Sequence, residues 1–533
     1  MRALTLGIAV LLAVPAFADD IVPGLQIQNV PLRNPDGGNH TLGSTLDLRF
    51  LPDGRMVFIE KAGFVKLRAT DGTVTTAYRF CVDQGSEKGL LGVEVDPAFN
   101  GTTNRRLFFY YSNCNQDGGT DLNRHRVVSI DLLPNGTLDP STERVLVQNL
   151  RGPANHDGGA LAIGPDGKLY IGVGDTGCNA ACCPASNMFP TCLSNGNGKI
   201  LRVNLDGTIP NDNPLFNTAM VTACGATCTS AVSAATQAAP RTDIWAWGFR
   251  NPWRIAFDPV TGKLWVGDVG EQAREEVSIV EAGKHYGYPW YEGFMGDGTY
   301  TSAQCNTVTP GSGPCAMPVW DCQHGANCAS ITGGTFIDST LFPPERRGYW
   351  FGDNAAGGAI WLMHLNAARD GVADAGPAAE VIGHFNTPNN YFPVAVQRGP
   401  DGLPYFACIN IMGAGGRLTR VVPAGYDGGF GTGGGAGGGS GAGGGAGTGG
   451  GTGGAGTGGG LATGGGAGGG SGTGGSGGSG TGGSGTGGAA GSGTGGGGDQ
   501  QGGCGCTTGF GGFVLLAAAA LVVRRRRRGM MRR

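Results

Sequence analysis

The chain has 533 residues, of which 107 are glycine and only 14% are charged, with a formal net charge of −3. Forty-eight of those glycines fall in the 76 residues 428–503, a stretch of Gly, Ser, Thr and Ala with occasional exceptions that has almost nothing apolar to bury and lacks the strict third-residue glycine of collagen. Without Arg2 and the seven arginines at 524–528, 532 and 533, 29 basic residues face 40 acidic ones, a balance of −11 that argues against nucleic acid as the main partner.

Residues 1–18 read as a secretory signal: Arg2, an apolar run from Leu4 to Val14, then Pro15 and the small-residue pattern Ala16-Phe17-Ala18 before Asp19. A buried N-terminal helix is the competing reading. Export implies an oxidising compartment, so the 15 cysteines are read mainly as disulfide partners. Local pairs are expected at Cys224 with Cys228, Cys305 with Cys315 and Cys322 with Cys328, and thirteen cysteines before the glycine-rich stretch leave at least one over. Cys178, Cys182, Cys183 and Cys192 are open to a zinc reading, but they have no histidine partner and disulfides are preferred.

Between Thr45 and Val422 one phrase recurs: an alternating apolar strand, a turn of the Pro-Asp-Gly kind, and a second strand ending near Gly or Asp. It appears at Leu46–Gly54, Leu91–Phe99, Leu161–Ile171, Ile255–Val266, more loosely at Thr335–Trp350, and at Val394–Tyr405. Period-2 alternation broken by tight turns predicts short antiparallel strands. Repeated four-stranded units bury their faces by stacking around an axis, so residues 19–426 are predicted to be an all-β, six-bladed β-propeller. Two β-sandwiches are the alternative. Long insertions at Gly174–Ile200 and Asn211–Arg241 read either as lids or as disulfide-stapled decoration.

Residues 427–503 read as a disordered linker. The segment 504–533 then carries Cys504-Gly505-Cys506, an apolar run from Phe510 to Val523, and the arginine block. This order predicts a short C-terminal transmembrane helix with a cytoplasmic end. It also resembles the MYXO-CTERM sorting signals of exported proteins, which implies a sorting protease acting near the cysteine and a product held at the cell surface or released.

Three phrases place polar residues where a propeller exposes them at the mouth of its channel: Ser86-Glu87-Lys88-Gly89-Leu90-Leu91-Gly92, Asn155-His156-Asp157-Gly158-Gly159, and Gly248-Phe249-Arg250-Asn251-Pro252-Trp253-Arg254, followed by Gly267-Asp268-Val269-Gly270-Glu271-Gln272 and Glu275-Glu276-Val277. A histidine entering an inner strand beside glycines can take a proton near neutral pH, and Arg250 can stabilise an anion. Carbonyls on a glycine turn with nearby carboxylates suit a hard cation such as Ca²⁺. The bland counterparts are a turn histidine, an Arg-carboxylate pair between blades, and acids in surface turns.

Gly-Leu-Leu-Gly with Asp-Pro-Ala-Phe, the His156 phrase with Gly-Pro-Asp-Gly-Lys-Leu-Tyr-Ile-Gly-Val-Gly-Asp, and Gly-Phe-Arg-Asn-Pro-Trp-Arg through Gly-Lys-His-Tyr-Gly-Tyr-Pro-Trp resemble, in order and over residues 25–425, the glucose/sorbosone dehydrogenase family. The resemblance implies a six-bladed propeller that oxidises a sugar with pyrroloquinoline quinone (PQQ) and Ca²⁺. It implies His156 as the base, Arg250 beside the quinone oxygens, and Asn251 as an adjacent cofactor contact. Glu87 and Asn155 match substrate contacts, Gly270 and Glu271 the carbonyls that hold the cofactor's Ca²⁺, and Glu276 with Tyr286 a second calcium site. Quinoprotein members also carry a lysine in the fifth blade and two arginines entering the sixth. Here Asp353–Gly358 and Tyr391–Val394 contain no basic residue, and Arg254 and Arg398 are the nearest candidates. The alternative function is a non-catalytic, surface-tethered propeller that binds carbohydrate or protein.

Overall fold

Each copy of the recurring phrase folds the same way because its turn residues leave the chain little choice. In the first copy the amide of Gly54 donates to the Leu51 carbonyl at 2.9 Å, and Gly54 sits at φ +84°, a conformation that glycine adopts without strain. In the third, Gly167 donates to Gly164 O at 2.9 Å with φ +70°. The computed structural model describes residues 19–430 apart from 115–123, 153–154, 178–186, 224–236, 272, 297–304, 306–312, 326, 356, 386–390 and 411–414. Residues 1–18 read as a signal, the expected linker beyond residue 430, residues 504–533, the pair Cys224 and Cys228, and Cys178, Cys182 and Cys183 lie outside the described residues.

Among the described residues, the strands form six antiparallel sheets of four or five strands and two two-stranded ribbons. Blade 1 comprises Thr45–Phe50, Met56–Glu60, Phe64–Arg68 and Val74–Arg79. Blade 2 comprises Leu90–Val95, Arg106–Ser112, Arg124–Leu132 and Leu138–Arg151. Blade 3 comprises Ala160–Ile163, Leu169–Val173, Lys199–Val203 and Ile244–Trp247, and both long insertions belong to it. Blade 4 comprises Pro252–Phe257, Leu264–Asp268, Arg274–Val280 and Trp320–Gln323. Blade 5 comprises Ile331–Ile337, Gly348–Asp353, Ala359–Met363 and Ala379–His384. Blade 6 comprises Tyr391–Arg398, Pro404–Asn410 and Gly416–Pro423. Its fourth strand is Leu25–Asn29 from the start of the chain, paired Leu25 to Pro423 and Asn29 to Thr419. Asp20–Ile21 adds a fifth strand to blade 5, so the first described residues bridge the last two blades. The first strands of successive blades contact one another around the ring, blade 6 closing on blade 1.

The inner strands are buried over most of their length although polar residues alternate with apolar ones, as Asp47 and Arg49 do in Thr45–Phe50. Their axis is filled by charge. Arg49 donates to Asp47 at 2.7 Å, to Glu94 at 3.0 Å and to the Leu161 carbonyl at 3.0 Å. Arg254 donates to Leu46 O at 2.6 Å and Leu91 O at 3.2 Å, which places it in this plug, and burial lowers its pKa to about 10. Between blades, aromatic rings supply much of the packing: Trp265, fully buried, meets Phe336 edge-on at 5.5 Å across the junction of blades 4 and 5.

Cys305 with Cys315 and Cys322 with Cys328 are bonded as expected, and Cys81 with Cys114 is a pair the local spacings did not suggest. Cys192 is disulfide-bonded, which removes it from the zinc alternative, and Cys408 is a buried free thiol. Among the described residues no helix is long and apolar enough to cross a membrane.

Candidate functional site

All three polar phrases reach one end of the propeller, where inner strands begin and second strands end. The sharpest geometry is at blade 3. His156 adopts φ +54°, unusual for a residue with a side chain, immediately before the inner strand at Ala160. Its Nδ1 lies 2.6 Å from Asp175 Oδ1. Because an ionised carboxylate only accepts, Nδ1 carries the hydrogen and Nε2 keeps its lone pair. The backbone N–H of His156 donates to Glu87 Oε2 at 2.7 Å, and Ser86 Oγ donates to Asn155 Oδ1 at 2.7 Å, so the Glu87 and His156 phrases are tied together. Burial raises the Glu87 carboxyl above the usual carboxylate range, opposed by His156 and Arg250.

Blade 4 brings Arg250 and Asn251 to the same place. The Asp175 amide donates to the Arg250 carbonyl at 2.8 Å, and the Gly158 amide to Asn251 Oδ1 at 3.1 Å. Arg250 is buried, its Nη1 donates to Val269 O at 3.0 Å, and its Nε has no hydrogen-bond partner among the described residues.

Beside it lies a dense group of acids. Asp268 accepts from the amides of Arg250 at 3.0 Å and Asn251 at 2.7 Å, and burial pushes its pKa up to about 7. Burial, then the charges of Asp268, Glu292 and Asp321, hold Glu276 protonated well above the ordinary range. A small cavity lined by Arg250, Asp268, Gly270, Glu276, Tyr288 and Glu292 opens here. Carboxylates that repel one another in a buried site fit a divalent cation, which would supply the missing positive charge. Glu271 is next to this group: its amide donates to Glu292 at 2.5 Å and its carboxylate accepts from Tyr288 Oη at 3.0 Å. Tyr286 is packed differently. Its ring stacks on Phe249 at 4.6 Å and its hydroxyl donates to Ile279 O at 2.6 Å, which leaves its main-chain carbonyl as the atom it can offer a cation.

The blade 5 side of the mouth presents Asp353, which accepts from the amides of Ala329, Ser330 and Ala355. Neither arginine considered as a substitute for the missing bases is there: Arg254 is in the axial plug, and Arg398 is exposed at the far end of its inner strand. Burial, then Glu275, raises the Asp353 pKa to about 7. The folded chain therefore keeps this proton through a window, from near pH 4 to about 7, in which the unfolded chain has released it. Its contribution to stability is present below that window and lost as pH rises through it. Urea unfolding is expected to show a lower stability at pH 8 than at pH 5, and Asp353→Asn should flatten that slope; equal slopes in the two proteins would contradict the assignment.

His285, Cys305 and Cys315 bring three ligand-type atoms within 4.8 Å, but the sulfurs are joined. His285 Nδ1 accepts from the Gly287 amide at 2.9 Å, whereas a metal-bound histidine donates through its other nitrogen. Both points favour a packing role.

Asp175, Asp268 and Tyr288 lie in the recognised phrases, but no role was assigned to them from the sequence. A signal existed for Asp268 and Asp353, which follow Gly267 and Gly352 at the end of the second strand in blades 4 and 5, whereas Asp175 lies two residues beyond the blade 3 strand Leu169–Val173. In blades 4 and 5 this acid caps amides of the chain entering the inner strand. Asp175 accepts the Gly177 amide at 2.8 Å and also meets the His156 ring.

Fold and mouth together define a six-bladed propeller with a histidine-carboxylate pair and a buried arginine at one pole. The family model described as Glucose / Sorbosone dehydrogenase matches residues 42–370, and the chain belongs to that family. Aldose sugar dehydrogenase YliI of Escherichia coli is 30% identical over 345 residues, covering 63% of this chain and 77% of that protein. Quinoprotein glucose dehydrogenase B of Acinetobacter calcoaceticus is 27% identical over 318 residues, covering 55% of this chain; this chain spans 60% of that protein's length and 59% of that of a Synechocystis relative. The fold matches the crystal structure of the soluble aldose sugar dehydrogenase from Escherichia coli in its apo form, with TM-score 0.56 and 20% identity over 75% of this chain and 99% of that one. It also matches the PQQ-bound aldose sugar dehydrogenase from Streptomyces coelicolor, with TM-score 0.53 and 18% identity over 76% and 99%.

Proposed function

We propose that the chain is an exported sugar dehydrogenase, tethered to or released from the cell surface, that oxidises the anomeric carbon of an aldose. The observation that carries this reading is the His156 and Asp175 pair facing a buried arginine. His156 Nε2 takes the proton of the anomeric hydroxyl, and Asp175 stabilises the imidazolium that forms. Glu87 and Asn155, fixed against the same loop, contact the sugar hydroxyls. Bound PQQ, with Ca²⁺ on its oxygens, would supply the acceptor for the hydride that leaves the sugar as it becomes a lactone. Arg250 and Asn251 would hold the quinone end, with the Arg250 guanidinium placing positive charge near an oxygen that gains charge. The carbonyls of Gly270 and Glu271 would hold one cation, and Glu276 with the Tyr286 carbonyl a second.

The donor set fits the quinone end of PQQ. Residues 353–358 on the blade 5 side offer Asp353 and no lysine to the cofactor's carboxylates, so a bound cation would have to supply that positive charge. Calorimetry on the full chain is expected to show PQQ binding at micromolar levels with Ca²⁺ and its loss with chelator, accompanied by aldose-dependent dye reduction. An absence of PQQ binding with Ca²⁺ present would overturn the enzyme reading. It would favour a propeller that binds carbohydrate or protein without chemistry, the reading to which the acidic blade 5 mouth lends support.

A further inference from the structure

Beneath the mouth lies a second histidine that the chemistry above does not use. His125, in the third strand of blade 2, is 0% exposed, and its neighbours Ser112 and Asp157 are 1% and 2% exposed. Ser112 Oγ is 3.1 Å from His125 Nδ1, and His125 Nε2 is 2.9 Å from Asp157 Oδ1. Serine, histidine and aspartate in series invite a nucleophile reading, and burial excludes it. Ser112 Oγ already accepts the Gly89 amide at 3.1 Å, and the main chain at Gly152 lies so close that a Cβ there would stand 2.2 Å from the imidazole.

The donors of this chain run one way. Gly89 N–H donates to Ser112 Oγ, Ser112 O–H to His125 Nδ1, and His125 Nε2–H to the Asp157 carboxylate, so a neutral imidazole satisfies every link. Its two ends are the two loops of the site: Gly89 closes the loop of Ser86 and Glu87, and Asp157 follows His156. Tyr110 Oη adds a bond to the Asp157 carbonyl at 2.9 Å. At the front the same loops meet through Ser86 with Asn155 and Glu87 with the His156 amide. Ser86 and His156 both hold positive φ, at 50° and 54°. Such backbone persists where the surroundings over-determine it, and here a front and a back set of bonds do so.

We propose that His125 is a positioning residue: through Ser112 and Asp157 it locks the Glu87 and His156 loops to one another and so sets the direction in which His156 faces the sugar. The effect on rate rests on the reading of His156 as base; the structural consequence does not. In the full chain with PQQ and Ca²⁺, His125→Leu is expected to lower kcat by about 10²-fold with KM within about threefold of the parent. His125→Gln, whose amide can still donate to Asp157, should recover most of the rate. In the cofactor-free full chain with ¹³C-labelled histidine, the His156 Cε1–H signal should be single in the parent and the Gln variant and broadened or split in the Leu variant. Ser112→Ala, which cuts the chain on the Glu87 side, should show the same broadening and serves if the Leu variant does not fold. Parent-like kcat and an unchanged His156 signal in folded His125→Leu or Ser112→Ala, or equal loss in the Leu and Gln variants, would overturn the proposal. If the parent reduces no dye, the proposed function fails while the His156 signal still decides this one.

Discussion

His156→Asn is expected to lower kcat for aldose-dependent dye reduction by about 10³-fold, within the range of about 10²–10⁴ that a positioned base contributes. Asparagine is the informative replacement because it tolerates the left-handed backbone at φ +54°, so the loop keeps its course while Nε2 is removed. KM should change little, since the sugar's remaining hydroxyl contacts survive. Asp175→Asn should cost a comparable factor by a different route: an amide at that place can donate to Nδ1 and so favours the tautomer with Nε2 protonated, which cannot accept. A kcat within about threefold of the parent for His156→Asn would remove the histidine from the chemistry.

The largest expected loss of stability is at the axis. Arg49→Met should destabilise the propeller by about 3–5 kcal/mol, the usual result of leaving a buried carboxylate without its partner. Asp47 is fully buried and Glu94 side-chain exposure is 16%, so neither can recover its hydration when the guanidinium is gone. The same arginine satisfies the Leu161 carbonyl, and Arg254 satisfies Leu46 O and Leu91 O. Gln397 of blade 6 reaches Asp47 at 3.4 Å, which brings a fifth inner strand into the network. Urea unfolding of Arg49→Met, Asp47→Asn and the double variant should show strong non-additivity, the double variant being less damaged than the two losses summed. Additive losses would mean that the two residues act separately.

The motifs at Glu87, His156 and Arg250 were legible because each sits at a fixed place in the repeat, and the repeat fixes which end of a strand faces the mouth. Asp175 was visible only as the last letter of Gly-Val-Gly-Asp. Asp268 and Asp353 cap backbone amides, as Asp175 does at Gly177, and nothing in the letters shows that Asp175 also orients a histidine. That role depends on whether an imidazole about 20 residues earlier in the chain faces the acid. The Tyr286 side chain shows the converse: the family resemblance implies a cation site there, yet its phenol is committed within blade 4.

The six-fold repetition of strand and turn was determined by the sequence alone, because alternation and Asp-Gly turns are local properties enforced by backbone sterics. So were the local disulfides at Cys305 and Cys322, whose partners lie 10 and 6 residues away. The tertiary structure decided how the ring closes, with residues 25–29 completing blade 6 some 390 residues away from Thr419. It also decided that Cys81 meets Cys114, that Arg254 serves the axis rather than the mouth, and that His125 joins two loops. Each of these is a contact between segments far apart in sequence, set by packing and by the need to pair buried polar groups, and neither leaves a periodic trace in the order of residues.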